Sequence, residues 1–247
     1  MKIEIQNLCK TIKKVPILQD ITVTFESGKI YGLKGKNGSG KTMLMRAISG
    51  LIIPNSGTIN IDGEILGKDI SFPRSIGILI ENPSFLGNYT GYKNLEMLAS
   101  IQKRIGEDEI RETLAEVGLD PDDKRTYRKY SLGMKQRLGI AIALIGDPEF
   151  LILDEPINGL DPSGIIEVRD LIIKLNKEFG KTVLISSHIL GELSKLSTCY
   201  GIISNGMLVE ELTHEELISR CTATTVIKTN NPEKAKQIIS NLLADKY

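Results

Sequence analysis

The sequence predicts an α/β fold in which a β-rich frame, partly antiparallel, is interrupted by a block of helices. Three observations carry this. A glycine-rich stretch, Gly35-Lys36-Asn37-Gly38-Ser39-Gly40-Lys41-Thr42, lies between a strand-like run and a helix-compatible one. Two continuous apolar runs, Ile76–Ile80 and Phe150–Leu153, have the texture of strands covered on both faces. Between them, residues 82–147 switch to helical spacing.

The elements follow in order. Residues 2–6 and 17–25 alternate like strands, with Ile17, Ile21, Val23 and Phe25 on the apolar side. Ser27-Gly28 turns into a short strand over Lys29–Lys34, and the run from Met43 to Ile48 is helical. Pro54-Asn55-Ser56-Gly57 is a turn, Thr58–Ile61 alternates again, and Asp62-Gly63 turns. Helices are predicted over 91–104, 107–119 and 133–145. Asp161 at the N-cap and Pro162 at the first turn open a helix to Lys177. Lys181–Ser186 is a strand, and residues 199–204 and 207–210 form a hairpin through Asn205-Gly206. Thr213-His214-Glu215-Glu216 is a capping box, and a strand at 223–229 and a helix at 232–244 close the chain. The core is therefore expected over 1–81 and 148–221, the helical block over 82–147, and an extension without a legible motif over 222–247.

Composition excludes several classes. The 247 residues carry 31 Lys+Arg against 31 Asp+Glu, so nothing favours a nucleic-acid partner. No apolar run reaches the ~18–20 residues that cross a bilayer. The first residues alternate like a strand and lack a signal-peptide core. Cys9, Cys199 and Cys221 are far apart and odd in number, which fits neither a disulfide framework nor a zinc site. A cytoplasmic chain is expected, with any membrane work done by a partner.

The chemistry starts at the glycine-rich stretch. It reads G-x-x-x-x-G-K-T, and strand, loop and helix follow in the order that a phosphate-binding loop needs. Gly35, Gly38 and Gly40 let backbone N–H groups turn towards phosphate oxygens, and the helix presents its positive end to the same anion. Lys41 can reach the terminal phosphates and the Thr42 hydroxyl can ligate Mg²⁺. Asp154 and Glu155 end an apolar strand, so their side chains diverge. Asp154 is then suited to the metal and Glu155 to an attacking water. His188 ends another strand and can orient that water. Ser131 begins a second helix whose N-terminus suits an anion, though the same residues equally make an ordinary N-cap. One chain with two such helix starts is economically used as a head-to-tail pair. Asn176-Lys177-Glu178-Phe179 lacks the aspartate of a guanine-reading motif, which argues against a GTPase.

Together these residues resemble the nucleotide-binding subunit of ABC transporters, over nearly all of residues 1–220. Gly35–Thr42 resembles the Walker A loop, and Phe150–Asp154 with Glu155 the Walker B strand and catalytic acid. Tyr130–Gln136 resembles the signature motif, Gly159-Leu160-Asp161 the D-loop and His188 the switch histidine. The resemblance implies a P-loop NTPase fold: a RecA-like core with an antiparallel β-subdomain and an inserted α-helical subdomain. It implies ATP and Mg²⁺, with Lys41, Glu155 and His188 catalytic and Thr42 and Asp154 at the metal. It further implies a homodimer, or a pair with a similar ATPase, in which Ser131 and Gly133 of one chain and the Asp161 loop complete the other's site. A separate transmembrane permease would be driven from the inner face of the membrane.

Three positions depart from the family pattern. The signature here is Ser131-Leu132-Gly133-Met134, with Leu for a Gly and Met for a Gln. Ile12 stands where an adenine-stacking aromatic is expected. Glu81 replaces the glutamine that senses γ-phosphate and metal. A carboxylate there is expected to favour the Mg²⁺-loaded nucleotide and make coupling metal-dependent. The runs Leu79–Phe85 and Tyr130–Lys135 resemble the subfamily that exports bacitracin and lantibiotic-type peptides. The alternative kept beside transport is an ABC ATPase that acts on ribosomes or DNA.

Overall fold

Two β-sheets flank one helix. The computed structural model describes residues 1–81, 85–102, 105–220, 229 and 232–236. The first sheet holds β1 (Ile3–Ile12), β2 (Val15–Phe25), β4 (Ser56–Ile61) and β5 (Glu64–Ile65) in the order β2-β1-β4-β5, all antiparallel. The second runs β10-β9-β3-β8-β7-β6, from β3 (Ile30–Lys34), β6 (Ile76–Leu79), β7 (Phe150–Leu153), β8 (Thr182–Ser187), β9 (Cys199–Ser204) and β10 (Met207–Thr213). All its pairings are parallel except β9 with β10. The helix between the sheets is α1 (Lys41–Ile48).

Its sequence explains that place. Leu44, Met45, Ala47 and Ile48 of α1 are buried in one apolar cluster with Ile3, Ile5 and Ile59 of the first sheet and Phe150, Ile152 and Leu184 of the second. Each such side chain contributes about 1.5–3 kcal/mol when fully buried. Strands β7 and β8 are buried at every residue, as a parallel sheet covered on both faces requires.

The helical block holds α2 (Gly91–Gln102), α3 (Glu107–Glu116), a 3₁₀ turn (Tyr127–Lys129) and α4 (Leu132–Leu144). The end of α4 lies directly on β6. A Cβ at Gly77 would sit 1.7 Å from the Ala143 carbonyl oxygen, so only glycine admits that approach. Helix α5 (Pro162–Lys177) spans its expected residues and buries Val168, Leu171, Ile172 and Leu175. Two short helices, α6 (Leu190–Leu193) and α7 (His214–Arg220), follow β8 and β10.

Some elements differ from the sequence expectation. β1 runs to Ile12 rather than stopping at residue 6, because Asn7 takes a left-handed φ of 49° and bulges shift the register against β2. Beyond the bulge the period-2 signal is out of phase. β10 continues to Thr213, so the proposed cap is also the last strand residue. Asn176, read for its lack of a guanine motif, donates to the Gly28 and Lys181 carbonyls.

The chain divides into two compact units, Met1–His214 and Glu215–Tyr247. The strand expected at 223–229 and most of the helix at 232–244 lie outside the described residues, as does Cys221; residues 232–236 are helical. Cys9 and Cys199 are free thiols.

Candidate functional site

The phosphate loop leaves β3 at Lys34 and enters α1 at Lys41. Gly40 caps the helix with φ 111°, a backbone that spares its N–H groups for a ligand. Lys41 is 5% exposed, and its ammonium donates to the carbonyls of Gly35 at 2.8 Å and Lys36 at 3.3 Å. The loop thus curls around its own lysine.

Both acids after β7 meet this loop. The Thr42 hydroxyl donates to Asp154 Oδ2 at 2.6 Å. Glu155 Oε1 lies 3.4 Å from the Lys41 ammonium, and its Oε2 lies 2.9 Å from His188 Nδ1. An ionised carboxylate only accepts, so Nδ1 is the donor in this contact. Glu155 itself holds a left-handed φ of 48°. A cleft of about 390 Å³ opens here, lined by Asn37, Gly38, Gly40, Lys41 and Thr42 with Ile17, Met43 and Glu155.

The donor set fits a hydrated Mg²⁺ carrying phosphates. A hydroxyl and a carboxylate stand side by side, and Mg²⁺ typically takes one or two protein oxygens with the rest from water and phosphate. Ser39 Oγ and Glu155 Oε1 are buried polar atoms without a hydrogen-bond partner. Among the described residues no cluster of three or more His, Cys, Asp or Glu competes as a metal site.

The remaining expected residues lie elsewhere. Ser131 caps α4, its hydroxyl accepting from Met134 N–H at 3.2 Å. Asp161 caps α5, accepting from Gly164 N–H at 3.3 Å. The Ser163 hydroxyl also donates to Asp161 and holds its carboxyl below the usual range. A Cβ on Gly159 would meet Leu132 at 3.5 Å, and one on Gly133 would meet the Gly164 backbone at 4.0 Å. The start of α4, with Ser131 and Gly133, therefore lies beside the Gly159–Gly164 stretch that holds Asp161. Glu81 turns its carboxylate to Arg46 Nη2 at 2.6 Å rather than to Thr42 or Asp154. Ile12 is 40% exposed at the end of β1, opposite Val15, and it is Ile17 that lines the cleft.

Two residues at the site escape a reading of the sequence. Ser186 contacts both acids, and Gly206 donates its N–H to the Ser39 carbonyl at 2.8 Å. Ser186 belongs to no motif, and Gly206 is legible only as the turn residue of the β9–β10 hairpin. Their roles depend on which strands become neighbours.

Comparison with known proteins agrees with this geometry. The ABC transporter family model matches residues 18–158. The bacitracin transport ATP-binding protein BcrA of Enterococcus faecalis is 40% identical over 97% of this chain and 78% of its own. The lantibiotic transport ATP-binding protein SrtF of Streptococcus pyogenes is 43% identical over 85% of this chain and 90% of its own. The dimeric structure of MJ0796, a bacterial ABC transporter cassette, superimposes with a TM-score of 0.76 at 25% identity, covering 86% of this chain and 98% of that one. These relatives are transport proteins, which disfavours an action on ribosomes or DNA. Among the described residues no helix is long and apolar enough to cross a membrane. This chain belongs to the ABC transporter family, as an ATP-binding and ATP-hydrolysing subunit.

Proposed function

We propose that two copies of this chain, or one with a similar ATPase, close head to tail over two ATP molecules and so drive a separate membrane-spanning permease from its cytoplasmic face. The observation that carries this reading is the Glu155 carboxylate held between Lys41 and His188 at the mouth of the phosphate loop. In this reading the loop N–H groups and Lys41 hold the triphosphate. Thr42 and Asp154 would hold Mg²⁺, which when bound neutralises charge on the phosphate oxygens. Glu155 accepts the proton of the attacking water. His188, bonded to Glu155 through Nδ1, aligns that carboxylate. Positioning and charge stabilisation do most of the work in phosphoryl transfer, so no strong base is needed.

The two helix starts that lie side by side, α4 capped by Ser131 and α5 capped by Asp161, support the head-to-tail arrangement. Both helix starts would serve the nucleotide of the facing copy. The names of the relatives support an antimicrobial peptide or similar amphiphile as the exported cargo.

Glu155→Gln tests the reading. It is expected to lower turnover by about 10²–10³-fold or more, the scale for losing a group that acts at the transition state, while ATP still binds and dimers accumulate. Retained turnover, or a variant that stays monomeric with ATP, would overturn it.

A further inference from the structure

We propose that Ser186 is a positioning residue for ATP hydrolysis, setting the metal-facing acid and the water-facing acid with one hydroxyl. The inference rests on the roles proposed above for Asp154 and Glu155.

Ser186 lies near the end of β8 and is 0% exposed. A hydroxyl buried that deeply costs stability unless both its donor and its acceptor are used. Here both are. Its O–H donates to Asp154 Oδ1 at 2.5 Å, and its oxygen accepts the Glu155 N–H at 2.9 Å.

The register explains why position 186 does this. The last rung between β7 and β8 pairs Leu153 with Ile185. Asp154 still belongs to the sheet, donating its N–H to the Leu79 carbonyl at 2.8 Å. Glu155 is the residue at which the chain turns away, with φ at 48°. For a residue with a Cβ this backbone persists only where its surroundings hold it. The bond from Glu155 N–H to Ser186 supplies that hold, at the residue whose side chain must lie between Lys41 and His188.

The same hydroxyl completes the grip on Asp154. Thr42 of α1 takes one carboxylate oxygen and Ser186 of β8 takes the other. The carboxylate plane is thereby fixed from both sides. Finishing the strand is not what Ser186 is for, because the neighbouring Ser187 hydroxyl accepts the Ile189 N–H at 3.0 Å and closes β8.

The test uses the full chain with Ser186→Ala, Ser186→Thr and Glu155→Gln. Steady-state ATPase gives kcat, KM and the half-saturating Mg²⁺. Calorimetry gives ADP affinity with and without Mg²⁺. Loss of an outer-shell partner of a metal site costs about 10–100-fold. Ser186→Ala is therefore expected to lower kcat by that factor, keep KM for ATP within about threefold, and shrink the Mg²⁺-dependent gain in ADP affinity. Ser186→Thr, which keeps the hydroxyl, should restore both. Should Ser186→Ala not fold, Ser186→Cys, with its weak donor and acceptor, is read against the same expectations. The proposal is overturned if the alanine or cysteine variant keeps wild-type kcat and Mg²⁺ response. It is equally overturned if threonine fails as badly as alanine while melting at the wild-type temperature. Loss of turnover in Glu155→Gln beside an unaffected Ser186→Ala removes this proposal alone. Retained turnover in Glu155→Gln removes the underlying reading.

Discussion

Arg46 donates to Glu81 across 2.6 Å, tying the second turn of α1 to the residue just past the end of β6. Arg46 stands one helical turn beyond Thr42, on the face that Thr42 also uses. Glu81 reaches it from a left-handed backbone, φ 63°. The pair is largely exposed, so it contributes little stability, on the order of 0–1 kcal/mol. Its consequence is direction. A carboxylate expected to serve the metal is turned along α1 to a guanidinium.

A metal-binding role for Glu81 therefore puts Mg²⁺ and Arg46 in competition for it. Arg46→Met should leave the melting temperature unchanged and lower the half-saturating Mg²⁺ severalfold. Glu81→Gln should raise it. A Mg²⁺ titration of ATPase activity for both variants checks this, and two unchanged curves would remove Glu81 from the metal site.

Much of the site was legible because its parts are contiguous. Gly35–Thr42, and Asp154 with Glu155, each fill one short stretch, and the strands before them announce themselves by unbroken apolar runs. Asp161 and Pro162 opened α5 at its observed start, since capping is a local matter of one side chain and the next few N–H groups. The sheet neighbours were not legible. Ser186 meets Asp154 across 32 positions, and Arg46 meets Glu81 across 35, so no local pattern encodes either pair. β1 was cut short for a different reason. The bulge at Asn7 inverts the alternation by which a strand is recognised.

Gly206 supports the phosphate loop from the far end of the chain. Its N–H donates to the Ser39 carbonyl at 2.8 Å and its carbonyl accepts the Gln19 N–H at 2.8 Å. With φ at 77°, a Cβ there would lie 2.3 Å from the Ile17 carbonyl oxygen. Left-handed strain and the clash together predict that Gly206→Ala costs about 2–4 kcal/mol. Urea unfolding measures that cost. ADP affinity should fall with it, since the loop loses a backbone support and Ile17 moves within the cleft. A variant with weakened stability and unchanged ADP affinity would show that the turn is structural only.

Burial pushes the Glu116 carboxyl above its ordinary value of 4.5, and the Asp147 carboxylate pushes the same way against Lys181 and Lys174. The sign follows. With the folded value above the unfolded one, the folded chain holds a proton that the unfolded chain has released. Stability contributed by this group is thus lost as pH rises from the unfolded value through the folded one. The charged carboxylate is a burden near neutrality. Glu116→Gln should melt about 1–2 °C higher than the wild type near pH 7, with the gap closing as pH falls below the carboxylate range. A gap that widens on acidification would reverse the assignment.

The role expected of Ile12, contact with the base, is tested at the β1–β2 hairpin. Ile12 ends β1 opposite Val15, at a tight turn where Lys13 and Lys14 both take positive φ. At 40% exposed it packs loosely, so a larger side chain costs the fold little. The cleft itself offers Ile17 and Met43 as apolar surface, and among its lining residues there is no aromatic ring. Stacking a base on an aromatic side chain is worth about 1–3 kcal/mol. Ile12→Tyr should therefore tighten ADP binding by at least about fivefold, measured by calorimetry, if the adenine extends from the loop towards this hairpin. The gain should be base-dependent and absent for inorganic pyrophosphate, which fills the loop without reaching the hairpin. Equal tightening for pyrophosphate would mean that the tyrosine acts on the loop, and no tightening for either would leave Ile17 as the surface against which the base rests.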